Sequence, residues 1–225
     1  MTRPASFSLP NPRVVIDDHC ARFRFVKGNP LDNAAFLPKF TRALEACDPG
    51  TPTTLLLYSG TLGASAFEPD IRNWMAPGRT ALGSLVERLL DAARPCGVRI
   101  GFIPHFAHLL SDLPGQMRLW HEYSERGLAT ILSPASLITA TMARDAQEHY
   151  ARAFEVCAPR CDLCILEDLR LPKTPHAIPE RVPWGEGDLP HARLIERLAI
   201  VLAPSTPVAL TVNPASEIRI LPGTG

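Results

Sequence analysis

The stretch Val182-Pro183-Trp184-Gly185-Glu186-Gly187-Asp188-Leu189-Pro190-His191-Ala192-Arg193-Leu194-Ile195 joins an apolar run to an apolar-faced helix, and its reading governs the rest of the chain. Glycines on either side of Glu186 permit a tight turn, and the Asp188 carboxylate is placed to cap the helix that follows. That helix is expected over Leu189 to Leu202, with a strand from Val208 to Val212 behind it. A turn, a helix and a short β-branched run in this order form one crossover of a parallel sheet.

The same alternation extends toward the N-terminus. Strands are expected at Val14 to Ile16, Thr53 to Leu57, Val98 to Ile103, Ala129 to Leu132 and Asp162 to Leu166. Helices are expected at Ala34 to Ala46, at Met117 to Arg126 and at Met142 to Val156. The clearest helix carries Leu82, Leu85, Val86, Leu89, Leu90 and Ala93 on one face. Gly97 and Gly127 mark helix stops. A long loop with Gly63, Pro69 and Pro77 precedes that clearest helix, and the proline-rich run Leu171 to Pro183 is expected to be a surface loop and candidate lid. Six strands fall short of the eight of a closed barrel, and Ser6 to Leu9 and Ile218 to Leu221 are the candidates for more. The expected architecture is one α/β domain over residues 1–225, a shortened (β/α) barrel, with an open doubly wound parallel sheet as the alternative.

From Thr53 to Pro214 the order of elements resembles the later two-thirds of the xylose isomerase-like barrels, the superfamily of sugar isomerases, epimerases and endonuclease-IV-like enzymes. The turn Gly185-Glu186-Gly187-Asp188 is similar to the one that introduces that superfamily's final helix. The segment Gly97 to His105 resembles its strand ending in Glu-Pro-His, with Ile103 at the Glu position. Leu128 to Leu137 resembles its Asp-Pro-x-His strand, with Ser133 and Ser136 in place of Asp and His. Asp162 to Arg170 resembles its His-x-x-Asp strand, with Ile165 replacing His and Asp168 kept, and Thr211 stands at the closing Glu. The resemblance implies a divalent cation held by carboxylates and imidazole, polarising a carbonyl while Glu moves the proton. Aliphatic side chains and hydroxyls make a poor donor set for such a cation, so no metal and no cofactor is expected here.

Two functions follow from this reading. One is a degenerate barrel acting as a non-catalytic ligand-binding or partner subunit. The other is a metal-independent isomerase, epimerase or lyase on a small polar, sugar-like molecule. The residues expected to carry catalysis are His105, Asp168 and Asp17, the last within Asp17-Asp18-His19, which is equally an ordinary turn. Glu186, Ser133, Thr211, Asn213 and Tyr58 are the expected substrate contacts. His108, at an expected helix start, and His121, far along it, are not expected to converge with His105.

The 23 basic and 23 acidic side chains balance, which counts against nucleic acid or an acidic membrane as partner. No apolar run reaches the length of a membrane span, so a cytoplasmic protein is expected, with six cysteines as free thiols. Cys157-x-x-x-Cys161-x-x-Cys164 has the spacing of an iron–sulfur cluster loop, but its place between a helix end and a buried strand favours apolar filling. A small polar molecule and a homo- or hetero-oligomeric assembly are the expected partners, the latter because an incomplete barrel leaves strand edges for another chain to cover.

Overall fold

The computed structural model describes residues 22–65, 67–174, 177–213 and 217–220, with side chains up to residue 210. In chain order the elements are β1 (Phe23–Phe25), α1 (Asn33–Glu45), β2 (Thr54–Tyr58), α2 (Ala76–Ala93), β3 (Arg99–Ile103), α3 (Leu113–Tyr123) and β4 (Leu128–Leu132). Then follow α4 (Ala146–Cys157), β5 (Leu163–Leu166), β6 (Asp168–Arg170), β7 (Glu180–Val182), α5 (His191–Val201), β8 (Val208–Asn213) and β9 (Glu217–Ile220). The main sheet runs β1-β2-β3-β4-β5-β8-β9, and only β9 is antiparallel to its neighbour.

This order settles the choice between the two architectures. A doubly wound sheet reverses its strand order at a switch point; here the parallel strands follow one another in sequence order without a reversal. Successive crossovers therefore wind the same way and place the helices on one side. Strand side chains alternate accordingly. Leu55, Leu57, Ile100, Phe102 and Leu128 face α1, α2 and α3, while Leu132, Cys164, Leu166 and Val208 face α4 and α5. The opposite parity, Leu56, Ile103, Ala129, Ile131, Leu163, Ile165 and Ala209, forms an inner cluster to which no described helix contributes. Over the described residues the fold is a shortened (β/α) barrel of six parallel strands with its helices outside and a filled concave interior.

Helix faces follow from spacing. Leu82, Leu85, Val86, Leu89, Leu90 and Ala93 of α2 are all buried, each large one contributing about 1.5–3 kcal/mol relative to exposure. The helix starts earlier than its apolar stripe suggests: Pro77, expected in a loop, occupies its first turn, where a missing N–H costs nothing. Gly97 and Gly127 take left-handed conformations and end the short 3-10 turns after α2 and α3, as expected.

The structure modifies two further expectations and adds one strand that was not expected. The segment 171–183 is not wholly a loop, because Glu180–Val182 pairs antiparallel with Asp168–Arg170 as a hairpin arm beside the main sheet. Proline is excluded from a ladder only at its own N–H, and Glu180, Arg181 and Val182 lie between Pro179 and Pro183. The three-residue strand β1 was too short to show periodicity. The C-terminal strand exists as β9, but it folds back on β8 and does not continue the parallel run. Val14 to Ile16 and Ser6 to Leu9 lie outside the described residues. No described helix is long and apolar enough to cross a membrane.

Candidate functional site

Inner-face parity carries past the strand ends and decides which side chains reach the carboxyl-terminal mouth. Counting in twos from Leu56, Ile103, Ile131 and Ile165 leads to Tyr58, His105, Ser133 and Glu167. The loop that holds His105 is tied to both neighbouring strands. Leu109 N–H donates to Gly60 O at 2.9 Å, Leu110 N–H to the Ser59 hydroxyl at 2.8 Å, and Phe106 N–H to Ser136 O at 2.9 Å.

The ring edges and faces of this region pack on one another. Tyr58 stands perpendicular to His105 and to His108, with centroids 5.8 and 5.1 Å away. Phe67, from the loop after β2, meets the same two imidazoles at 5.1 Å each. His105 and His108 are themselves 4.7 Å apart, so these two histidines do converge. His108 lies in the turn after β3, well before α3 begins, which is why the expected helix did not separate them. His121 is exposed on α3 beside Trp120.

His105 is 4% exposed, and its Nδ1 accepts the Ala107 N–H at 3.2 Å, which leaves the imidazole proton on Nε2. Burial, with smaller contributions from His108 and Arg181, pushes its pKa down to about 2. The side chain is therefore neutral at physiological pH and is not the near-neutral acid–base group that an exposed histidine would supply.

Beside it, Arg181 of the β6–β7 arm reaches the Glu167 carboxylate at 3.5 Å and hydrogen-bonds the Tyr58 side chain. Burial opposes the guanidinium charge, but Glu167 and Tyr58 outweigh it and hold the pKa above the ordinary value. Tyr150 of α4 donates to the Glu167 backbone oxygen at 2.7 Å. Burial first, then Glu167 and Asp168, raises the pKa of this phenol well above its usual range.

The described residues at the positions where the resemblance implies metal ligands are packed or hydrogen-bonded within the chain. Ile103 and Ile165, each 2% exposed, belong to the inner apolar cluster. The Ser136 hydroxyl bonds to Pro104 O at 2.5 Å and to Ser133 O at 2.7 Å, with Ser133 Oγ at 3.1 Å. These serines fasten β3 to the β4 loop. Among the described residues, no three His, Cys, Asp or Glu side chains gather in a way that could hold a metal ion. Cys157, Cys161 and Cys164 are buried and form no such group either.

Asp168 lies on the opposite parity from Glu167 and is fully buried. Its carboxylate accepts N–H groups from Leu169 (2.7 Å), Gly187 (2.7 Å), Gly185 (3.3 Å) and Leu189 (3.4 Å), and meets His191 Nε2 at 2.5 Å. Asp168 thus gathers the turn that opens α5. Asp188 does not cap that helix as expected; it accepts the Leu171 N–H at 2.7 Å and so pins the hairpin arm to the turn. Glu186 is exposed on the turn. Thr211 and Asn213 lie on β8 with their backbones described and their side chains not, and Asp17 falls outside the described residues. Arg181 and Phe67 went unnamed from sequence, His108 was expected apart from His105, and Glu167 closes the same strand as Asp168, the residue that the resemblance favours. Parity from Ile165 would have selected Glu167, whereas nothing in the sequence places the arm that delivers Arg181.

No family profile matches the chain, and neither does any curated protein. Solved structures do. The IolI protein with a bound zinc atom matches at 10% identity and TM-score 0.51, over 79% of this chain and 63% of that one. A xylose isomerase-like TIM barrel protein from Mycobacterium smegmatis in complex with magnesium matches at 14% identity and TM-score 0.52, over 75% and 57%. A xylose isomerase domain protein from Planctomyces limnophilus matches at 12% identity and TM-score 0.52, over 80% and 66%. The chain therefore spans less than two thirds of the length of each of these neighbours. The fold is that of the xylose isomerase-like barrels.

Proposed function

From that shared fold we propose that the chain is a non-catalytic barrel whose mouth binds a small polar molecule without a metal ion. The observation that carries this reading is the burial of Ile103 and Ile165 in the inner apolar cluster, at two positions where cation-dependent relatives would need donors. A general base is wanting as well. His105 stays neutral at physiological pH, and Glu167 is held by Arg181. What the mouth offers a ligand is hydrogen bonding and aromatic surface from Tyr58, His105 and Phe67. In its assembled form the same reading makes the chain a partner subunit; a monodisperse monomer in sedimentation contradicts that form.

One observation favours the second reading, a metal-independent isomerase, epimerase or lyase: Tyr58, Arg181 and Glu167 converge in one place. Ligand-detected NMR in D2O with a panel of aldoses, ketoses and polyols separates the two. Saturable binding with no deuterium incorporation and no product is expected. Turnover that His105→Gln or Glu167→Gln abolishes establishes the enzyme.

A further inference from the structure

A second concave region lies outside the mouth, between the start of α3, the loop after β4 and α4. It is a cleft of about 550 Å³, within the range of small-molecule sites. Phe106, Leu113, Met117, Ile138, Met142 and Val156 form its walls, and Trp74 stands at its edge, half exposed. Phe106 is shared with the mouth, because its other side stacks on His105 with centroids 4.7 Å apart.

The walls are apolar, and the basic side chains are confined to one helix. Along α4, His149, Arg152, Ala153 and Val156 line the cleft at helical spacing, while Tyr150, Phe154 and Cys157 turn to the core, where Ala153 also packs. Arg152 is exposed, and among the described residues it has no ion-pair partner. The one carboxylate in the lining, Asp112, is turned into its own helix and accepts the Gly115 N–H at 2.6 Å. An apolar trough with a guanidinium and an imidazole on one wall complements a molecule with an apolar chain and an anionic head.

We propose that this cleft binds an amphiphilic monocarboxylate, its head on Arg152 and His149 and its chain along Leu113, Met117 and Ile138. The site lies beside the mouth and shares Phe106 with it, but the proposal does not rest on what the mouth binds.

The test uses three eight-carbon probes, octanoate, 1-octanol and octylamine, titrated into the full chain and followed by calorimetry and tryptophan fluorescence. Octanoate is expected to bind saturably at one site and more tightly than the other two. Arg152→Gln, an exposed change that leaves the core intact, is expected to weaken octanoate about tenfold and leave octanol unchanged, the loss of one charge-assisted contact. Ala153→Leu fills the trough and is expected to weaken both, with circular dichroism confirming the fold. Equal affinity for the three probes, indifference to Arg152→Gln, or no saturable binding overturns the proposal. So does a cleft found covered by a second copy in sedimentation.

Discussion

Gly187 passes so close to Asp168 that a Cβ on it would stand 2.5 Å from the Asp168 Cγ and from the Leu169 carbonyl oxygen. The glycine-rich turn is thus shaped by a buried carboxylate that reaches across from the first residue of β6. Gly187→Ala must displace either the turn or the acid and is expected to lower stability by about 1–3 kcal/mol. Asp168→Asn keeps the volume but sets an amide N–H against backbone N–H groups, with an expected loss of about 3 kcal/mol. Urea denaturation of the two variants checks both values; wild-type stability in either one contradicts this role for Asp168.

The Glu167–Arg181 pair sits largely out of water, with side-chain exposures of 8% and 26%. Removing one partner leaves the other charge buried, so Arg181→Met and Glu167→Gln are each expected to cost about 3–5 kcal/mol. The double variant is expected to lose less than the sum of the two. A strictly additive double-mutant cycle would show that the pair is not coupled.

Legibility from sequence tracked the length of the apolar signal. Strands such as Leu128–Leu132 and Leu163–Leu166 are continuous apolar or β-branched runs, and the helix of Leu82, Leu85 and Leu89 shows its stripe plainly. Strand β1 and the β6–β7 arm have three residues each and carry no such signal. The site was half legible. His105, Ser133 and Tyr58 end clear strands, and Asp168 matches a position of the resembled barrels, whereas alternation from Ile165 sends Glu167 to the mouth. Asp188 is a plausible cap by residue type, and only the tertiary contact with Leu171 shows its actual partner.

Acid sensitivity follows from His105. Its folded pKa of about 2 lies below the ordinary 6.5, so between those values the unfolded chain binds a proton that the folded chain refuses. Stability therefore falls as pH drops below about 6.5, by up to about 1.4 kcal/mol per pH unit from this group. Urea midpoints at pH 7, 6 and 5 are expected to fall less steeply for His105→Gln than for the wild type. Parallel slopes contradict a buried neutral His105.

Thiol chemistry is expected to divide the cysteines. Burial raises Cys157 to about 11, Cys161 to about 12 and Cys164 well above its usual value, whereas Cys96 is exposed. Iodoacetamide at pH 8 is expected to label Cys96 in the folded protein and to reach Cys157, Cys161 and Cys164 only after unfolding. Fast labelling of the buried three in native buffer counts against their packing.

The most direct test of the central claim is elemental analysis of the purified protein joined to calorimetric titration with Mg2+, Mn2+ and Zn2+. With Ile103 and Ile165 in the apolar interior and Ser133 tied to Ser136, the account predicts no stoichiometric ion and no saturable heat of binding at the mouth. One tightly held divalent ion per chain, lost on His105→Gln or Ser133→Ala, contradicts it.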